Sequence, residues 1–179
     1  MTPHETDALK KLVYLSLGSN VGDRRANLEA AVERLRALGT VQAVSSFYET
    51  DPVEFTAQPK FLNIAVALET EKMPRQLLAA TQSIEQALGR KRTGADTDRV
   101  KGPRTIDIDI VLFGKSLINL LQLTVPHPAM HERRFVLEPL AEIAPEVRHP
   151  VLKRTMRELR DALPPAGVKK IQTARDARD

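Results

Sequence analysis

An α+β fold is predicted by three features of the sequence: four runs with strand character, two amphipathic helical stretches between them, and the order strand, helix, strand, strand, helix, strand. That order is the ferredoxin-like split βαβ sandwich, here followed by additional C-terminal elements. Helices would cover one sheet face and leave loops to build on the other.

The elements follow in chain order. Residues 12–17 (LVYLSL) read as a buried strand, and GSNVGD at 18–23 as the turn after it. That turn superficially resembles a phosphate loop but has neither of the glycine spacings that cradle phosphate, so it reads as a plain strand-to-helix connection. Asp23 is placed to cap a helix over 24–38, in which Leu28, Ala31, Val32, Leu35 and Leu38 recur at helical spacing and Gly39 supplies the stop. Strands are expected at 41–49 and 61–69, the latter with Leu62, Ile64, Val66 and Leu68 on one face. Pro74 suits the first turn of a second helix reaching Leu88, with Leu77, Leu78, Thr81, Ile84 and Leu88 inward and Gly89 ending it. Gln82 and Glu85 lie one turn apart beside that stripe. The last strand of the set falls in residues 102–113 (GPRTIDIDIVLF). Beyond it, 116–126 is irregular with room for a short strand pair, short helices are expected at 135–143 and 155–163, and Pro164-Pro165 ends the ordered chain. The expected organisation is one domain over 12–163 between disordered tails at 1–11 and 164–179.

Composition narrows the function classes. The 179 residues suffice for one domain with a real core. Net charge is +4, but residues 164–179 carry four basic against two acidic side chains, so the folded part is nearly balanced. Neither a nucleic-acid nor a membrane partner is indicated. The absence of cysteine excludes disulfides, iron–sulfur centres and thiolate zinc sites. The N-terminal residues lack an apolar signal core and no apolar run approaches a membrane span, so a cytoplasmic protein is expected.

The chemistry concentrates in the 102–113 run. In a strand, Ile106, Ile108 and Ile110 point one way and Asp107 and Asp109 the other, giving a core face and a face with paired carboxylates. Carboxylates about 5 Å apart at an effective dielectric near 20 repel by roughly 3 kcal/mol, a cost that a divalent cation between them removes. Oxygen donors in that number suit Mg²⁺, which binds one or two carboxylates together with substrate phosphates. Without a ligand, the same pair would be charges that keep an edge strand from aggregating. Arg104 enters three residues earlier, where its fork of donors could hold a phosphate. The long connection at 90–104 adds Arg90, Lys91, Arg92, Arg99 and Lys101 against Asp96 and Asp98, a mobile cationic clamp for polyphosphate or else a solvated charged loop. The connection at 50–60 is also far longer than a hairpin turn needs. His127 and His131 are four apart, but Pro126 and Pro128 bracket the first and no third zinc ligand is apparent; a histidine near Arg133 fits anion binding better. Phe61 and Phe135 are core residues unless a flat ring must be sandwiched.

Five motifs then coincide in order: GSN at 18–20, SSFYET at 45–50, FLN at 61–63, GPRTIDIDI at 102–110 and VPHPAMHERRF at 125–135. Over about residues 13–150 this set closely resembles the 6-hydroxymethyl-7,8-dihydropterin pyrophosphokinase family of folate biosynthesis. The resemblance implies transfer of the β,γ-diphosphate of ATP to the pterin hydroxymethyl group, with release of AMP. It implies that Asp107 and Asp109 hold two Mg²⁺ ions, and that Arg90, Arg92 and Arg104 bind phosphate, with Arg90 and Arg104 counted as catalytic beside the two aspartates. Gln82, Glu85, Ile110, His127 and Arg133 match positions of the ATP site. Asn63 matches the residue that hydrogen-bonds the pterin edge, Phe61 and Phe135 those that stack on its faces, and Thr50 and Val53 those that line the pocket. Val100-Lys101 departs from the Arg-Trp usual in the family, which bears on closure over adenine. A monomer acting on two small-molecule substrates is expected.

Two other classes share parts of this pattern. An RNA-recognition module has the same element order, but it reads bases with aromatics on its central strands, whereas here the last strand offers acids. A non-catalytic nucleotide-binding domain would use the same phosphate contacts without turnover.

Overall fold

The computed structural model describes residues 9–52, 57–89, 104–165 and 167–171. In chain order its elements are β1 (Lys11–Ser19), α1 (Arg24–Leu35), β2 (Thr40–Val44), β3 (Tyr48–Thr50), β4 (Phe61–Thr70), α2 (Pro74–Ala87), β5 (Asp107–Phe113), β6 (Ile118–Leu120), β7 (Leu123–Val125), a 3-10 turn at Met130–Glu132, α3 (Arg134–Ile143), α4 (Met156–Asp161) and β8 (Val168–Lys170). Six of the strands make one antiparallel sheet, in which β1 lies between β5 and β4, β2 and β3 both pair with β4, and β8 pairs with β3. β6 and β7 form a separate hairpin. This is the predicted ferredoxin-like order.

One sheet face carries Val13, Leu15, Leu17, Leu62, Ile64, Val66, Leu68, Ile106, Ile108 and Ile110 against α1 and α2. Helical spacing put the apolar stripes of both helices on this face, as expected. The opposite face is not left to loops: Tyr14, Ala65, Ala67, Val111 and Leu112 pack under Val136, Leu137 and Leu140 of α3 and Met156 and Leu159 of α4. The helices therefore form two outer layers, a correction to the single covered face read from the sequence. The small side chains of Ala65 and Ala67 let α3 lie close to β4. A register shift between Tyr14 and Leu15 lets consecutive residues Val111 and Leu112 both enter this second core, which strict alternation would forbid.

The expected strand at 41–49 is split. Ser45 donates its N–H to the Ala65 carbonyl at 2.9 Å while its Oγ accepts the Ala65 N–H at 2.9 Å, so a side chain replaces the backbone acceptor and the ladder breaks there. α1 starts on its Asp23 cap, whose carboxylate accepts the Ala26 N–H, but ends at Leu35, short of 38. Gly39 has a different role from the stop assigned to it: a Cβ there would stand 2.1 Å from the Glu69 carbonyl oxygen, so only glycine lets the chain turn against β4. Gly89, at φ +100°, does end α2 as expected. The sheet also extends past Pro164-Pro165, where the sequence reading ended the ordered chain. β8 completes the β3 edge, with Asp51 N–H to Gly167 O at 3.0 Å and Ile171 N–H to Phe47 O at 2.8 Å. Among the described residues no helix is long and apolar enough to cross a membrane.

Candidate active site

α3 covers only part of its sheet face, and the remaining part holds the polar residues. Asp109 pairs across β1 with Ser16, and Asp107 with Gly18; Gly18 in turn pairs with Asn63 of β4. Side chains at paired positions point to the same face. Both carboxylates therefore share a face with Asn63, two strands and about 10 Å away. Asp109 is recessed, and its carboxyl is pushed up to about 7, first by burial, then by the charges of Asp107 and Glu85, with Arg133 and Arg104 opposing. Arg104 donates from Nη1 to Asp107 Oδ2 at 3.0 Å. The predicted pair is thus assembled and repels as expected, and among the described residues Arg104 and Arg133 oppose that repulsion.

Glu85, fully buried on α2, reaches the edge of β5 that faces away from β1 and accepts the Ile108 N–H at 2.9 Å. Sequence reasoning placed it beside the helix stripe but could not foresee this strand contact. Gln82 is half-buried one turn earlier on α2. Ile110 is buried in the core on the opposite face from the carboxylates, so its side chain is not brought to them; its backbone, two residues on from Ile108, faces the same outer edge. His127 follows β7 and ties to β5 through its N–H on the Val111 carbonyl, and its Nδ1 accepts the Ala129 N–H. Arg133 precedes α3, lies 5.6 Å from the Phe135 ring centroid, and acts on Asp109 electrostatically. Arg90, Arg92 and Val53 lie outside the described residues.

On β4 and β3, Phe61, Asn63, Tyr48 and Thr50 share the carboxylates' face: Thr50 pairs with Phe61, and Tyr48 with Asn63. Asn63 Nδ2 donates to Thr50 Oγ1. Beneath them Gly18 leaves space that a Cβ would contest with Asn63 Oδ1 at 2.8 Å and Phe61 Cδ1 at 3.4 Å. A glycine inside a strand signals close approach of this kind, and here it gives a packing reason for Gly18, which the sequence reading quoted only as part of the GSN motif.

Asn20, quoted in the same motif, was given no role because its turn was read as a plain connection. It is almost completely buried and joins three segments: its Oδ1 accepts the Arg104 N–H at 2.7 Å, and its Nδ2 donates to Gln58 Oε1 at 3.1 Å and Pro59 O at 3.3 Å. The far ends of both long connections meet at this one side chain. A groove of about 560 Å³ nearby, lined by residues such as Asn20, Arg24, Glu49 and Lys60, includes neither the carboxylates nor the aromatic rings.

Two carboxylates on one face, with the charge of Asp109 suppressed first by burial and then by its neighbours, form a hard-oxygen donor set that fits a divalent cation. An amide and a phenyl ring two strands away fit a flat, hydrogen-bonding ring. A sheet of this order with acids at one end of a face, and an amide and a phenyl ring at the other, suits a small-molecule enzyme better than a nucleic-acid reader, which would not set acids where phosphates must lie. The family model for 7,8-dihydro-6-hydroxymethylpterin-pyrophosphokinase (HPPK) matches residues 14–145. A Bacillus subtilis 2-amino-4-hydroxy-6-hydroxymethyldihydropteridine pyrophosphokinase is 50% identical over 142 residues, covering 78% of this chain and 81% of the relative. A Methylorubrum extorquens protein of the same name is 44% identical over 161 residues, 89% of this chain and 98% of the relative. The solved wild-type Plasmodium falciparum HPPK-DHPS with pteroate superposes with a TM-score of 0.68 at 17% identity, over 86% of this chain and 42% of that one, a likeness of fold. The chain belongs to the HPPK family.

Proposed function

We propose that this enzyme transfers the β,γ-diphosphate of ATP to the hydroxymethyl oxygen of 6-hydroxymethyl-7,8-dihydropterin, giving AMP and the pterin diphosphate, a step of folate biosynthesis. The observation that carries this reading is the shared sheet face: Asp107 and Asp109 at one end, Phe61, Asn63 and Thr50 at the other, about two strand spacings apart. That span suits a bicyclic ring bound at one end with its exocyclic hydroxymethyl group directed at the carboxylates.

Asp107 and Asp109 are assigned as the protein ligands of two Mg²⁺ ions, whose chemistry when bound is to neutralise the triphosphate and polarise the bond that breaks. Arg104, His127, Arg133 and the edge of β5 beside Glu85 and Gln82 are assigned to ATP, together with Arg90 and Arg92. Arg104 exchanges its Asp107 partner for phosphate oxygen as nucleotide arrives. Asn63 reads the pterin edge, and Phe61 and Phe135 take its two faces. The hydroxymethyl oxygen bonds to the β-phosphorus as the α–β bridging bond breaks; AMP leaves with the bridging oxygen, and the hydroxyl proton is released to solvent. The protein's contribution is positioning and charge stabilisation. We read the chain as a monomeric cytoplasmic enzyme with a single pyrophosphokinase domain, its oligomeric state open to light scattering.

Incubation with ATP, Mg²⁺ and the hydroxymethyl dihydropterin, followed by nucleotide analysis, tests the reaction. AMP together with a diphosphorylated pterin supports it. ADP would indicate an ordinary kinase, and neither product a binding module.

A further inference from the structure

Ser16 is the one small hydroxyl in the apolar run of β1, residues 12–17 (LVYLSL). By strand alternation it shares a face with Tyr14 and Gly18, the face covered in part by α3 and carrying the two carboxylates. Its direct neighbours across the ladders are Asp109 on β5 and Ala65 on β4. It therefore lies where the second core gives way to the polar end of the face. Its exposure is only 8%. A hydroxyl buried to that extent is expected to have a hydrogen-bond partner. Among the described residues Ser16 Oγ has none, and since every fully buried side-chain polar atom among them has one, this oxygen opens onto the site face.

The Asp109 carboxylate is the complementary case. Arg104 donates to Asp107, whereas Arg133 and Arg104 act on Asp109 through charge alone, and no donor among the described residues hydrogen-bonds its oxygens. Cross-strand partners hold their Cβ atoms about 4.5–5.5 Å apart, a gap that a serine hydroxyl and a carboxylate span with one O–H···O bond of about 2.7 Å. The bond is open in this structure, and rotation of the two side chains alone closes it. The terminal torsion of an aspartate is broad and roughly two-fold, so nothing local fixes how Asp109 presents its oxygens. A carboxylate holding a cation only accepts, which leaves a hydroxyl beside it the role of donor.

We infer that Ser16 is a positioning residue for Asp109: its hydroxyl donates to the carboxylate lone pair that faces β1, and so turns the remaining ones outward to a divalent cation. This rests on the assignment of Asp109 as a cation ligand and deepens it. A group that holds a metal ligand in place is worth about tenfold or more in metal affinity without touching the metal.

Titration of Mn²⁺, a paramagnetic substitute for Mg²⁺, into the full chain tests this on Ser16→Ala and Ser16→Cys by electron paramagnetic resonance. Ser16→Ala should weaken the Mn²⁺ Kd about tenfold and raise the Mg²⁺ concentration for half-maximal AMP formation by a similar factor, while the pterin Kd in chelator changes by less than about twofold. Ser16→Cys keeps the volume of the side chain but donates weakly, and should lose as much as Ser16→Ala. In chelator Ser16→Ala should melt no lower than the parent, because the hydroxyl has no bond there to lose; a lower melting point would assign it to the fold and overturn the inference. An unchanged Mn²⁺ Kd in Ser16→Ala, or full affinity in Ser16→Cys, also overturns it, as does a loss of pterin affinity equal to the loss for Mn²⁺. Absence of Mn²⁺ binding by the unaltered chain would overturn it together with the cation assignment. Mn²⁺ binding does not depend on turnover, so failure of the unaltered enzyme to form AMP would refute the reaction alone, with the titration still judging Ser16.

Discussion

At the scale of single residues, Asp109 shows how function and stability oppose one another. Its ordinary carboxyl value is near 3.8, and in the fold it is pushed up to about 7. Below pH 4 the group is protonated in both folded and unfolded chains and has no effect. Between pH 4 and 7 the unfolded chain ionises while the folded one retains its proton, so stability falls as pH rises, and above 7 the full penalty is in place. In chelator, Asp109→Asn should therefore be more stable than the parent by about 1–3 kcal/mol at pH 8 and nearly equal at pH 4, as urea denaturation would show. The same variant, like Asp107→Ala, should lose at least about a thousandfold in AMP formation, because on the proposed assignment the two carboxylates hold the cations that stabilise the transition state. Period-2 alternation made both aspartates legible in the sequence. The part of Glu85 in raising Asp109 was not legible, because the contact joins α2 to β5 across a long connection.

At the scale of elements, the close contacts are decided by neighbours distant in sequence. Gly39 faces the backbone of Glu69, so Gly39→Ala must push β2 away from β4 and should cost about 3 kcal/mol in unfolding free energy, with little change in the KM of either substrate if the domain still folds. α3 is anchored by Glu142, whose carboxylate accepts from the Ser46 N–H and hydroxyl at 2.8 Å each and from the Tyr48 hydroxyl. Burial works against its charge, but these donors and Lys170 together bring its carboxyl below the ordinary value. A lowered folded value stabilises above the unfolded one and is lost as pH falls through the folded one. Glu142→Gln should thus destabilise by less than about 1 kcal/mol at pH 7, given its exposure, and by almost nothing near pH 3, measured by thermal melting at the two pH values. Helix periods and caps were readable at 24–35 and 74–87. The break at Ser45 was not, since it depends on the Ser45 hydroxyl accepting the Ala65 N–H in place of a backbone carbonyl.

For the whole molecule, β8 links the end of the chain to the pocket. It borders β3, which carries both Tyr48 and Thr50, and Ile171 packs against the core. Truncation after Pro165 should lower stability by about 1–2 kcal/mol through lost edge hydrogen bonds, and raise the pterin KM more than the ATP KM, because β3 lines only one half of the face. Calorimetry with steady-state kinetics checks both parts; equal changes in the two KM values would show that β8 acts on the fold generally. Local chemistry alone determined the two helices and most strands of the main sheet, the α+β class, the paired carboxylates and the cationic connection, since alternation and helical period are written in neighbouring residues. Only the tertiary structure decided that α3 and α4 cover the second sheet face, that Gly18 lies beneath Asn63, that Asn20 joins the ends of both long connections, and that residues beyond Pro165 complete the sheet. Each of those depends on packing between segments far apart in the chain, where no local pattern specifies the partner.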